Sequence, residues 1–196
     1  LEALKRNSGS DPASKIFDYI MEAHGLLRKI ELGRIDDTSK SKPVAFAGSG
    51  ICAGIGTEIG LACHRRFLSS SKNSKIGLPE ILVGLFPGLG GTTRVPRMMG
   101  LMGASSVLLE GKLFTSNKAK SIGLVDEVVS EDELIQKAKD WVLSASPQEL
   151  VKPWDQKGFK FPGGAPYHPS GFMSFVGASA LVNGKTKGLY FSAKAL

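Results

Sequence analysis

The sequence predicts an α/β domain, and three observations carry that prediction. Short apolar runs of strand type alternate with stretches of helical periodicity. Glycine-rich turns separate them. Two of the apolar windows contain one acid each and no other charge, in a chain that is otherwise 22% charged.

The elements follow in order. Residues 13 to 31 read as an amphipathic helix, because Ile16, Ile20, Leu26, Leu27 and Ile30 recur near helical spacing. Asp11 or Ser14 is placed to cap its start. Residues 32 to 42 are polar and read as a loop. Pro43-Val44-Ala45-Phe46-Ala47 reads as a short buried strand, followed by a glycine-dotted turn from Gly48 to Gly56. A short helix is predicted from Thr57 to Cys63, then a strand from Arg66 to Ser69, a turn from Ser70 to Asn73 and a returning strand, Lys75-Ile76-Gly77. Gly88, Gly90 and Gly91 break the chain, and Thr92-Thr93 can cap a helix running to Met99. Two further short helices fit Ala104 to Leu109 and Ser116 to Ser121. Val125 to Val129 reads as a strand and Glu131 to Ala145 as a closing amphipathic helix. Beyond Ser146, prolines at 147, 153, 162, 166 and 169 punctuate a glycine-rich stretch. Residues 147–196 therefore read as an extended Pro/Gly-rich connector, with short helical or buried pieces around Phe172 to Val182.

Composition excludes several classes of function. A length of 196 residues fits one domain with a tail, and 42% hydrophobic residues is ordinary for a soluble globular protein. No apolar run is long enough to cross a membrane, and Leu1 to Ser10 lack the apolar core of a signal peptide. Without an initiator Met, the chain is expected to begin inside a larger protein. Cys52 and Cys63 match no zinc pattern and make no disulfide framework. They read as small core residues in a reducing, cytoplasmic setting. His24, His64 and His168 are too scattered for a metal site, and His64 with Arg65-Arg66 reads as a cationic helix end. The net charge of +7 is spread, without a block of like charge or the aromatic interleaving that single-stranded nucleic acid needs. The basic side chains read as solvated surface, or as a field for an anionic ligand such as a phosphorylated cofactor.

The two lone acids carry the chemistry. From Pro43 to Cys63 the only formally charged residue is Glu58, and from Ile76 to Gly91 it is Glu80. If residues 55 to 62 are helical, the neighbours of Glu58 one turn away are Gly54, Ile55, Leu61 and Ala62, and none can pair with it. Glu80, between Pro79 and Ile81-Leu82-Val83, has no local cation either. A desolvated carboxylate holds its proton more tightly, which suits proton transfer near neutral pH, and two such groups across a pocket form an acid/base pair. Alternatively, each Glu sits at a helix start or satisfies backbone donors. Gly54-Ile55-Gly56 lies ahead of a predicted helix, where free N–H groups can hold a developing oxyanion. Gly88-Leu89-Gly90-Gly91-Thr92-Thr93 repeats the arrangement. Tight turns with close packing explain both equally well.

Other motifs are weaker. Gly48-Ser49-Gly50-Ile51-Cys52-Ala53 has the G-x-G-x-x-A form of a dinucleotide fingerprint, but Arg66-Phe67-Leu68-Ser69-Ser70 offers no acid for a ribose. Gly184-Lys185-Thr186 resembles the end of a P-loop whose first glycine would fall on Ser179. Met98, Met99 and Met102 suit core filler better than an acyl-chain lining.

Lys42 to Ala47 followed by Ala53-Gly54-Ile55-Gly56-Thr57-Glu58-Ile59-Gly60-Leu61-Ala62-Cys63 resembles the crotonase (enoyl-CoA hydratase/isomerase) signature. Ile76-Gly77-Leu78-Pro79-Glu80-Ile81 with Phe86-Pro87-Gly88-Leu89-Gly90-Gly91-Thr92 is similar to its second half, and Gly111 with Ala119-Ile122-Gly123-Leu124-Val125-Asp126 to its later helix and strand. The resemblance covers about residues 40 to 145. Arg65-Arg66 and Pro153-Trp154-Asp155-Gln156-Lys157-Gly158 further resemble the multifunctional β-oxidation proteins. It implies a spiral of ββα units truncated at its N-terminus, with residues 1–146 as a partial hydratase domain. Residues 147–196 would lead toward a missing NAD-dependent 3-hydroxyacyl-CoA dehydrogenase domain.

The implied reaction is addition of water to a trans-2-enoyl-CoA. Glu58 would activate the water and Glu80 would deliver a proton to C2. The Ile55 N–H would donate to the thioester oxygen, while Gly54, Gly56, Pro79, Pro87 and Gly88 would position water and substrate. No cofactor or metal is implied in this domain. The resemblance also implies an oligomer, with a thiolase subunit as a candidate partner. Two departures stand out. The family usually has glycine where Ile55 stands, and its other oxyanion donor lies in a stretch upstream of the first helix, expected to precede Leu1. The chain as written is therefore expected to lack half the oxyanion hole and most activity. A non-catalytic crotonase-like acyl-CoA or partner-binding protein and a dedicated 3,2-enoyl-CoA isomerase are the alternatives. The presence of both Glu58 and Glu80 argues against the isomerase.

Overall fold

A computed structural model describes residues 11–34, 41–165, 167–186 and 191–195. The reading of Leu1 to Ser10, residues 35–40 of the polar loop, and Pro166 lie outside the described residues.

Helix α1 (Pro12–Glu31) starts where the sequence says it should. Asp11 is the N-cap and accepts from the Ser14 N–H at 3.2 Å, and Pro12 occupies the first turn, where its missing N–H costs nothing. Strand β1 (Ala45–Gly48) and strand β2 (Ile51–Ala53) come next, then helix α2 (Ile55–Ala62). Strand β3 (Arg65–Ser69) and strand β4 (Lys75–Gly77) repeat the strand pair. A 3-10 turn at Glu80–Val83 leads to helix α3 (Gly91–Leu108), and then to strand β5 (Leu113–Thr115), helix α4 (Ser116–Ser121), strand β6 (Glu127–Val129) and helix α5 (Leu134–Ser144).

Two three-stranded sheets result. One has the order β1-β3-β6, all parallel, and the other β2-β4-β5, with β2 and β4 parallel and β4 and β5 antiparallel. The pairs β1-β2 and β3-β4 each give one strand to each sheet before the chain turns into a helix, whereas α4 separates β5 from β6. That is the ββα repeat expected. The apolar core lies between the layers, with Leu61, Leu68, Ile76, Leu78, Val95, Val107 and Leu124 buried together. Phe67, Val129, Leu134 and Ala138 form a second cluster under α5.

Several expectations change. The glycine-dotted turn from Gly48 to Gly56 contains β2, whose three residues pair with Lys75–Gly77. A strand that short has no periodicity to read, and only its partner defines it. β5 is hidden for the same reason. The break expected between Met99 and Ala104 is real. α3 kinks at Gly100, whose φ of 73° favours glycine, and the Pro162 carbonyl packs so closely there that a methyl group would lie 2.6 Å from it.

The region read as an extended connector carries more helix than expected. After 3-10 turns at Pro147–Leu150 and Pro153–Asp155 come helix α6 (Pro169–Thr186), 18 residues long, and helix α7 (Phe191–Ala195). Pro147, Pro153 and Pro169 open these elements instead of breaking them, because a helix's first N–H groups need no partner. The fingerprint-like Gly48 to Ala53 runs from strand into strand, not from strand into helix, so it offers no dinucleotide cradle.

Candidate active site

The two lone acids meet at the Gly54 corner: Glu58 lies on the helix that follows it, and the Glu80 carboxylate lies against the Gly54 Cα. Gly54 has φ 58°, and its N–H donates to Gly77 O at 3.0 Å. The chain then enters α2, and the Glu58 N–H closes the first turn on Gly54 O at 3.1 Å. Thr57 fastens this corner. Its fully buried hydroxyl lies 2.8 Å from both Cys52 O and Gly77 O and accepts from the Gly77 N–H at 3.2 Å. One residue thus joins the helix that carries Glu58 to the strand that leads, three residues later, to Glu80.

Glu58 is 2% exposed. Its Oε1 accepts from the Leu89 N–H and the Gly91 N–H, both at 2.8 Å. The second glycine-rich turn therefore clamps this carboxylate and leaves Oε2 with no donor among the described residues. The clamp is tight. A methyl on Gly91 would lie 3.1 Å from Oε1 and 2.9 Å from both the Leu78 side chain and Pro87.

Glu80 opens the 3-10 turn after Pro79, and its carboxylate lies over Gly54, where a methyl would stand 3.1 Å from Oε1. Its Oε2 is buried and has no hydrogen-bond partner among the described residues. Desolvation pushes the Glu80 carboxyl above its ordinary range. Its own backbone N–H opposes this, and the nearby charge of Glu58 adds to it. The two carboxyl groups therefore sense each other, one anchored by backbone donors and the other disposed to keep its proton.

The remaining candidates surround this pair. The Ile55 N–H is at the first position of α2 and meets no acceptor among the described residues, as expected of a helix start. The Ile55 side chain is 57% exposed, so it borders the turn without filling the core. Gly56 has open space at its Cα and Gly88 is exposed, while Pro87 is fully buried beneath the Gly91 turn. The donors to Glu58 are the N–H groups of Leu89 and Gly91. Gly88 lies just ahead of them, and its N–H has no acceptor among the described residues.

The profile described as enoyl-CoA hydratase/isomerase matches residues 34–151. The chain belongs to the enoyl-CoA hydratase/isomerase family. It is 40% identical over 152 residues to the fatty acid oxidation complex subunit alpha of Shewanella loihica, covering 78% of this chain and 21% of that protein. It is 38% identical over 130 residues to a glyoxysomal fatty acid beta-oxidation multifunctional protein of Cucumis sativus, covering 65% of this chain and 17% of that one. The chain thus spans about a fifth of the length of these curated relatives. Among solved structures it resembles the enoyl-CoA hydratase of Bacillus anthracis, with a TM-score of 0.59, 30% identity and coverage of 72% of this chain and 51% of that one. An enoyl-CoA hydratase from Geobacillus kaustophilus gives a TM-score of 0.60 at 28% identity, covering 73% and 54%.

Three basic residues read as solvated surface are buried. Arg66 pairs with Asp126, both through its guanidinium and through its backbone N–H, at 2.7 Å each. Lys152, only 4% exposed, donates to the carbonyls of Leu61 and Cys63 at the C-terminal end of α2. Arg94 reaches back to Glu31 and Leu89. Nothing local marks these residues as buried, because Asp126, Glu31, Leu61 and Cys63 all lie dozens of residues from the cations they meet. His64 also departs from its reading. Its Nδ1 accepts from the Val44 N–H at 3.0 Å, and burial first, then the charge of Lys152, lowers its pKa, so the ring is held neutral and is no cation for a helix end. Both cysteines are free; Cys63 is buried and Cys52 half-buried. Met98 and Met99 pack on the core, whereas Met102 is largely exposed. Among the described residues no helix is long and apolar enough to cross a membrane.

Proposed function

We propose that this chain forms the catalytic core of an enoyl-CoA hydratase acting in fatty-acid β-oxidation, with Glu58 and Glu80 as its acid/base pair. The observation that carries the reading is the contrast between the two carboxylates beside the Gly54 corner. Glu58 is fixed through Oε1 by two backbone N–H groups, which leaves Oε2 to take a proton from water. Glu80, desolvated and with one oxygen unpartnered, is suited to hold a proton and release it to carbon.

In this mechanism the water oxygen bonds to C3 of the enoyl thioester while Glu58 takes one of its protons. The electron pair of the C2–C3 double bond moves toward the thioester oxygen, where the Ile55 N–H at the start of α2 stabilises the enolate. Glu80 gives its proton to C2. The pair resets when the proton on Glu58 passes to Glu80 through the next water. Gly54, Gly56, Pro79, Pro87 and Gly88 shape the turns that hold these atoms. The chemistry needs no cofactor in this domain, and the coenzyme A thioester is the substrate.

We further place this core in a longer chain with an NAD-dependent dehydrogenase domain, in an assembly with a thiolase subunit; likeness to one subunit of a fatty acid oxidation complex and to a multifunctional protein supports a longer chain and an assembly. The cytoplasm is the compartment proposed, on the likeness to the Shewanella loihica protein, whereas the plant relatives are named glyoxysomal and peroxisomal. A second reading, isomerisation of 3-enoyl to 2-enoyl thioesters by Glu80 as sole proton shuttle, draws on the same raised proton affinity. The test is turnover of a trans-2-enoyl-CoA by the complete gene product, followed by loss of the conjugated thioester absorbance. Glu58→Gln and Glu80→Gln should each abolish most hydration. Isomerase turnover that survives in Glu58→Gln but not in Glu80→Gln would favour the second reading, and tight acyl-CoA binding without any turnover would defeat both.

A further inference from the structure

Arg94 lies just beyond the glycine turn that clamps Glu58 and does not touch either carboxylate of the proposed pair. It is 6% exposed and lies in the first turn of α3, just after the glycines that clamp Glu58. All three of its nitrogens are engaged. Nε donates to Glu31 Oε1 at 3.0 Å, Nη2 to Glu31 Oε2 at 3.3 Å, and Nη1 to the carbonyl of Leu89 at 3.1 Å. Leu89 is the same residue whose N–H donates to Glu58. The guanidinium lies against the bare Cα of Gly90, so close that a methyl there would stand 2.1 Å from Nη1.

The partner carboxylate is itself fixed. Glu31, 4% exposed at the end of α1, also accepts from Arg28 Nη1 at 2.8 Å. Arg28 in turn grips both oxygens of Asp155 in the 3-10 turn Pro153–Asp155, at 2.8 and 2.9 Å. An ion pair this deeply buried adds little stability over an apolar pair of equal size, because desolvation of both charges offsets their attraction. What it does supply is fixed direction. A planar fork with a carboxylate on one edge and a peptide carbonyl on the other cannot rotate without breaking both.

We infer that Arg94 is a positioning residue for Glu58. It holds the Leu89 carbonyl, and so orients the turn whose Leu89 and Gly91 N–H groups fix the Glu58 carboxylate. The inference rests on the proposed role of Glu58 for its functional part, but its geometric part stands separately.

Two measurements on the complete gene product test it. Amide hydrogen exchange at Leu89 and Gly91 should quicken in Arg94→Lys, whose single ammonium cannot span Glu31 and Leu89, while core amides such as Leu68 keep their protection. The same variant should lower kcat by on the order of tenfold or more with KM little changed, as expected when a group at the reacting centre is misplaced and binding is not. The double variant Glu31→Gln/Arg94→Gln leaves no unpaired buried charge and guards against simple unfolding; it should show the same two effects. Unchanged exchange at Leu89 and Gly91 in folded variants would overturn the inference, whatever Glu58→Gln does to turnover. Quickened exchange with an unaltered kcat, in a protein that Glu58→Gln inactivates, would also overturn it. Full activity of Glu58→Gln would instead sink the reading of Glu58 and leave the exchange result to judge the geometry.

Discussion

The carboxylate of Glu80 rests on the bare Cα of Gly54, where a methyl group would lie 3.1 Å from Oε1 and 3.8 Å from the carboxyl carbon. Gly54 also holds φ 58° with ψ −124°, a positive-φ conformation outside the left-handed helical region, where an L side chain would be strained by about 1–3 kcal/mol. Gly54→Ala should therefore push Glu80 off its seat. The expected result is a folded protein with kcat reduced at least tenfold, checked by turnover beside a thermal melt.

Glu80→Gln separates activity from stability. Turnover should fall by on the order of a hundredfold or more, with binding little changed. Stability should move the other way. The folded pKa is raised, so below about 4.5 the carboxyl is protonated in both states and its contribution is fully present. As pH rises through the ordinary value the unfolded chain sheds its proton first, and the contribution is lost. The variant should match the wild type in acid and exceed it at neutral pH, as denaturant titrations at the two pH values would reveal.

Ile55→Gly should leave hydration unchanged or faster if the exposed side chain only crowds the turn, since the N–H that matters belongs to the backbone. Stability should drop by up to about 1 kcal/mol, from the added freedom of glycine at a helix start. A large loss of turnover in a folded variant would mean that the side chain itself contacts the substrate.

Lys152→Met removes the donor that closes the carboxyl end of α2. Two carbonyls lose a charged partner, and a loss of about 1–3 kcal/mol is expected. Burial, helped by the charge of Arg66 and opposed by Glu31, Cys63 and Asp126, brings the folded pKa down from 10.5 to about 8. Between those values the unfolded chain keeps a proton that folded Lys152 has released, so this group's contribution to stability rises with pH across the window. The gap between wild type and variant should therefore widen from pH 8 toward 10.5. A gap that stays flat would show that Lys152 titrates normally.

Much of this was written in local sequence. The periodicity of residues 13 to 31 found α1, the gap left between helices ending at Met99 and starting at Ala104 contains the kink in α3, and Ser116–Ser121 was read to the residue. These features are set by neighbours a few positions apart, so the chain announces them. The uncharged windows around Glu58 and Glu80 likewise announced two acids among apolar neighbours.

Only the tertiary structure decided what those acids touch. β2 and β5 exist because β4 lies between them, and the donors to Glu58 come from 31 and 33 residues downstream. Arg94, Arg66 and Lys152 look like ordinary surface cations in the sequence, yet folding buries them against partners 63, 60 and 91 residues away. Periodicity records which face of an element is apolar. It does not record which distant backbone will meet a buried charge, and that is fixed when the sheets pair and the core closes.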